Sequence, residues 1–264
     1  YKREDKMQKD SKKLPWGYGK HQAFTLAEVL ITLGIIGVVA AITIPLLVNN
    51  YKKKEIATRF KQNYNIIQNA FEMAQVEHGD MSTWEIPFNK ASLAFFETYL
   101  FPNLKLIKKG QYSLRDLGYT TPIKEKDGIT TTSNRALDKV ATRAVLNNGT
   151  IIVLFMPVSA QNSNNEKVYV AVQMLVDLNG PKGPNVEGRD IFMYAMPLAN
   201  GAKLDIGLTN WSINIDTGVV TYSQKETREQ RLAACKNPEK NVIPCGALIA
   251  ENGWKIPDDY PFKL

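Results

Sequence analysis

Residues Phe24 to Val48 read FTLAEVLITLGIIGVVAAITIPLLV, 25 residues with a single charge at Glu28. About 20 apolar residues carry a helix across a bilayer core, so this run is long enough to span one. A cleaved secretory signal has a shorter apolar stretch followed by a small-residue cleavage site. Here Asn49, Asn50, Tyr51, Lys52, Lys53 and Lys54 follow instead. The plain reading is a single-pass signal anchor, and two features fit it poorly. A carboxylate in hydrocarbon costs about 3 kcal/mol or more and usually has a partner, yet Glu28 lies near the edge of the run. The helical pattern also continues past the membrane, with Ile56, Phe60, Ile67, Phe71 and Ala74 on one face. Phe24 to His78 is therefore expected to form one helix, extending roughly 80 Å at about 1.5 Å per residue. Gly79 should cap its end, and Pro45 should kink or locally melt it.

Outward from this helix, the charge is uneven. The 264 residues hold 33 Lys and Arg against 26 Asp and Glu, a net +7. Residues 1–23 contribute seven basic side chains and three acidic ones, so +4 lies ahead of the apolar run and only +3 after it. The excess is an N-terminal address, and a broad nucleic-acid face is not required. Two histidines, His21 and His78, and two cysteines, Cys235 and Cys245, give a histidine triad or multi-histidine metal site almost nothing to use. With 44% hydrophobic residues, the chain can bury a sizeable core.

Residues 80–264 read as an α+β body. Ala91–Phe101 is a short helix stopped by Pro102. Val140–Leu146 and Thr150–Pro157 flank the turn Asn147-Asn148-Gly149 and should pair as an antiparallel hairpin. Lys167–Asp177 is the next strand, with weaker strand signals at Ile191–Met196 and Gly218–Tyr222. Segments 103–139 and 158–166 read as polar loops.

Lys20-His21-Gln22-Ala23-Phe24-Thr25-Leu26-Ala27-Glu28-Val29-Leu30 resembles the leader–mature junction of type IV pilins and type II secretion pseudopilins. The resemblance is specific over about 30 residues. It implies a basic leader, residues 1–23, removed by a membrane prepilin peptidase between Ala23 and Phe24, with methylation of the new Phe24 amine. Ala23 stands where the family nearly always has Gly, which implies slower cleavage rather than none. Glu28 becomes the fifth mature residue, placed to pair with a neighbouring subunit's N-terminal amine during assembly. Pro45 falls where the family breaks its helix. Residues 24–48 would be the transmembrane and assembly half of the helix, and 49–79 the amphipathic half.

The resemblance also implies the fate of the cysteines. Pilins often carry a C-terminal disulfide loop, and a translocated body meets an oxidising compartment in which Cys235 and Cys245 should join; the alternative is two reduced, unrelated thiols. Asp177, Asn179 and Asp190 lie in a Gly-rich loop of the kind that ligates calcium, and major pseudopilins supply a precedent. Pro181 sits where an EF-hand would place its third side-chain ligand. The other reading is a strand connection in which Asp177 and Asp190 cap backbone amides. Gly183–Asp190 lacks the Lys-Ser/Thr of a phosphate-binding loop. The tail from Gly253 to Pro261 reads as a packed strap anchored by Trp254.

Function divides between a structural subunit of a pilus or pseudopilus and a minor pilin that binds DNA or a surface; an enzyme is a distant third. The partners implied are prepilin peptidase, other subunits of a homo- or hetero-filament and an inner-membrane assembly platform. Nucleic acid is not expected, and calcium is the only cofactor raised. The chain would sit in the inner membrane with its body in the periplasm, or in a cell-surface filament. Positive-inside topology supports this orientation, because the leader's basic residues outnumber Lys52–Lys54.

Overall fold

One helix, α1, runs from Leu26 to His78. In the computed structural model the described residues are 24–85, 92–132, 135–161, 163, 167–199, 201–208, 210–214, 217, 219–223, 226–238 and 242–264. The leader, including Ala23, lies outside them. The chain divides into two compact units, Tyr1–Leu47 and Val48–Leu264.

Of the kink or local melting expected at Pro45, melting does not occur, since α1 is helical on both sides of it and through it. Proline removes its own N–H and crowds the carbonyl four residues earlier. Single losses of this kind are tolerated within long apolar helices. At the other end Gly79 adopts φ +77°, and its amide donates to Gln75 O at 2.9 Å, as a C-terminal cap should.

In the second unit, α1 turns one stripe inward: Ala57, Phe60, Asn63, Ile67, Ala70, Phe71 and Ala74 are all buried. The spacing of three and four residues makes this a single helical face. It packs on an antiparallel sheet in which β1 (Leu106–Tyr112), β2 (Ala141–Leu146), β3 (Ile151–Gln161), β4 (Lys167–Asp177) and β5 (Ile191–Pro197) lie side by side in chain order. Every residue of β5 is buried. The Phe60 ring lies 4.7 Å from Phe192 and 5.4 Å from Tyr194, and Tyr194 Oη donates to Phe60 O at 3.1 Å.

The Asn147-Asn148-Gly149 turn joins β2 to β3 as expected, with Gly149 at φ +85° and Leu146 N donating to Thr150 O. It is also tied to the helix. Buried Asn63 donates to Thr150 Oγ1 at 2.9 Å and accepts from Asn148 Nδ2 at 3.2 Å.

Several elements differ from the sequence reading. β1 lies inside the expected loop 103–139, and β3 continues past Pro157 to Gln161, with its register shifting between Phe155 and Val158. A proline is accommodated at such a bulge, where the ladder is already interrupted. The first short helix, α2, is Ser92–Tyr99, followed by a 3-10 turn at Phe101–Asn103 that contains Pro102; Ala91 lies outside the described residues. β6 (Asn210–Asn214) pairs with β7 (Val219–Ser223) as a separate ribbon. Two further helices, α3 (Arg228–Lys236) and α4 (Ile243–Glu251), complete the body.

Candidate membrane-assembly site

The apolar run forms the start of α1, and its large side chains are exposed, from Leu26 through Leu30, Ile35, Ile42 and Leu47 to Val48. Its polar side chains are satisfied locally. Thr32 Oγ1 donates to Val29 O at 3.0 Å and Thr43 Oγ1 to Val39 O at 2.9 Å, so these hydroxyls need no water. A Cβ built on Gly34 or Gly37 meets no atom within 4 Å, which leaves flat surfaces where another helix can approach closely. This helix is long and apolar enough to cross a membrane.

Glu28 is engaged at the helix start by Thr25, the residue after Phe24. Thr25 N and Thr25 Oγ1 both donate to Glu28 Oε2 at 2.8 Å, and Glu28 N donates to Thr25 Oγ1 at 3.2 Å. This is a capping box. The carboxylate thus has a partner within its own chain, which the Thr25-x-x-Glu28 spacing could have revealed. No described residue donates to Oε1, leaving that oxygen for a second partner.

In the body, Cys235 on α3 and Cys245 on α4 are joined by a disulfide, and both are fully buried. The α3 start is capped reciprocally by Thr227 and Gln230, another spacing signal in the sequence. Lys126 reaches the other end of α3, donating from Nζ to Ala234 O and Asn237 O. The tail closes over this region as a strap. Trp254 packs 5.2 Å from Tyr64 and 5.8 Å from Phe60, and Tyr260 Oη donates to Gly188 O at 2.6 Å. Gly188 has φ +79°, and a Cβ there would fall 2.7 Å from the Phe262 ring, so this close approach requires glycine.

Asp177, Asn179 and Asp190 are brought together, but the carboxylate oxygens of the two aspartates are engaged by protein donors. Tyr119 Oη donates to Asp177 Oδ2 at 2.6 Å and Asn179 N to Oδ1 at 3.2 Å. Asn185 N and Val186 N donate to the two oxygens of Asp190, each at 2.9 Å. Donors aimed at all four carboxylate oxygens are what amide capping requires, and they do not fit a calcium site. Among the described residues, no three His, Cys, Asp or Glu side chains are grouped to hold a metal. Burial, reinforced by the charge of Asp190, pushes the Asp177 carboxyl up to about 8. Burial likewise raises Asp190 and lifts Glu187 to about 7, against the pull of its ion-pair partner Arg135.

The comparisons divide the chain near the same place. Residues 46–264 match the "Family of unknown function (DUF6613)", and residues 19–44 match the "Prokaryotic N-terminal methylation motif". Over 64 residues the chain is 36% identical to prepilin peptidase-dependent protein D of Escherichia coli (strain K12). That stretch is 24% of this chain and spans 43% of the length of the relative. No solved structure matches.

Proposed function

We propose, for a chain that belongs to this family of unknown function and carries the N-terminal methylation motif, that it is a filament subunit of a type IV pilus or type II secretion pseudopilus. The observation that carries this reading is the motif itself, leading into an exposed apolar run, residues 24–48, whose one charge is Glu28. Residues 1–23 are the leader, 24–48 the membrane and assembly half of α1, 49–79 its amphipathic half and 80–264 the body. Prepilin peptidase cuts before Phe24 and the new amine is methylated. The subunit then waits in the inner membrane, body in the periplasm, until an assembly platform stacks it against its neighbours through their helices. The role is structural rather than catalytic.

A minor pilin that binds DNA would need basic side chains interleaved with open aromatic faces. β1 brings Lys108 and Lys109 to a sheet edge, but Lys109 Nζ lies 5.6 Å over Phe101, which is itself buried, and Lys108 Nζ lies 4.1 Å over Tyr112. These lysines cover their rings instead of framing them, which favours the filament role.

The test is the intact mass of protein purified from a host with an active prepilin peptidase. The expected species begins at Phe24 and carries one added methyl group. A mature protein that retains residues 1–23 would defeat the reading.

A further inference from the structure

Below the β4–β5 connection, the body contains a cavity of about 140 Å³ lined by Lys52, Ile56, Arg59, Asn179, Pro184 and Leu264, among others. Its own charges are mostly balanced. Arg59 Nε pairs with Glu55 at 3.0 Å, and Arg59 Nη1 donates to Leu178 O at 3.1 Å. Asp190 is held by two amides. Lys52 has no such partner, nor has Lys182 in the adjoining 3-10 turn Gly180–Lys182; among the described residues neither forms an ion pair. Asn179 Oδ1 is buried and accepts no hydrogen bond. The cavity thus offers one unneutralised ammonium group on Lys52, one unused acceptor and the apolar side chains of Ile56 and Leu178, and Lys182 stands in the 3-10 turn that follows Asn179.

The chain itself fixes how far this site can be from a membrane. Four residues link Val48 to Lys52, a reach of about 14 Å if fully extended and about 6 Å as helix. The headgroup layer adds roughly 5–7 Å beyond the hydrocarbon on each side, and a lysine stem lets its ammonium seek that layer. Lys53 and Lys54 extend the cationic run.

We propose that this cavity is a headgroup site for an anionic glycerophospholipid such as phosphatidylglycerol. Lys52 and Lys182 pair with the phosphodiester, Asn179 Oδ1 accepts from a headgroup hydroxyl, and Ile56 lies against the glycerol carbons. The bound lipid holds the base of the body at the bilayer until the subunit is drawn into a filament. The inference rests on residues 24–48 being the membrane anchor.

The test uses the full chain, extracted in detergent micelles containing equal parts of phosphatidylglycerol and phosphatidylcholine, with retained lipid read by native mass spectrometry. Wild type is expected to retain phosphatidylglycerol selectively. Lys52→Gln combined with Lys182→Gln should reduce that retention about twenty-five-fold, at roughly fivefold per cation near a lipid surface. Lys108→Gln with Lys109→Gln, on the β1 edge, should leave it unchanged. Equal retention of the two lipids by wild type, or undiminished selectivity in the Lys52/Lys182 variant, overturns the site. Alkaline extraction of the same membranes separates the two ideas. A chain that stays in the pellet without lipid selectivity sinks the headgroup site alone, whereas a chain that is released sinks the anchor and the site with it.

Discussion

Asp177 has one oxygen on the Tyr119 hydroxyl and the other on the Asn179 amide, with Asp190 close enough to repel its charge. Its folded pKa of about 8 lies above the unfolded value, so the stability it contributes is complete below about pH 4 and is lost as pH rises through about 8. Asp190 and Glu187 shift in the same sense. Asp177→Asn should remove much of this dependence, because an amide can donate to Tyr119 while its oxygen still accepts from Asn179. Thermal unfolding of the full chain in micelles should therefore show a flatter decline between pH 4 and 8 in the variant; an unchanged slope refutes the assignment. Glu28 is a carboxylate with a different task. Its capping box satisfies one oxygen, so Glu28→Ala should leave membrane insertion intact or improved and leave the body folded, while incorporation into filaments falls. Wild-type incorporation by that variant, measured in sheared filament fractions, would show that no neighbouring amine needs Glu28.

Packing between elements explains what could be read in advance and what could not. The α1 stripe was legible because a spacing of three and four residues is a local property, and so was the β2–β3 hairpin, which rests on a three-residue turn. β1 was not: Leu106-Ile107-Lys108-Lys109-Gly110-Gln111-Tyr112 shows no apolar alternation, because an edge strand has one neighbour and gains from charges that deter a second. α3 escaped notice because its polar sequence hides everything but its cap, and α4 because nine apolar-rich residues do not distinguish buried helix from strand. The amide caps on Asp177 and Asp190 were legible only as one of two readings, since the donors come from residues whose positions depend on the folded loop. At Gly246, α4 approaches α1 so closely that an added Cβ would lie 2.8 Å from Phe60 Cζ and 3.3 Å from Ile206 O. Phe60 is wedged among Phe192, Tyr194 and Trp254 and has little room to yield. Gly246→Ala is expected to destabilise the body by about 1–3 kcal/mol, seen as a fall in Tm of roughly 2–10 °C. An unchanged Tm would mean the helices separate without cost.

Across the whole molecule, the pilin-type N-terminus and the body are recognised separately, by the motif at 19–44 and by the family match at 46–264. The body's sheet has its strands in chain order, each beside the one before it. On the proposed topology, in which the body crosses the membrane with its N-terminus held behind, that order is also a timetable. Each strand can pair with the one exported just ahead of it, and no early pair waits for a late segment, so loop-closure entropy stays small at every step. Cys235 and Cys245 follow β1 to β7 in the chain and would be delivered after them. On that order, oxidation would seal a sheet that has already formed rather than direct its formation. A chain kept reduced during export should still acquire amide protection across β2, β3 and β4 in pulse-labelled hydrogen exchange, while α3 and α4 stay open to solvent. Loss of protection in those strands on reduction would reverse the sequence of events and make the thiols the first step of folding.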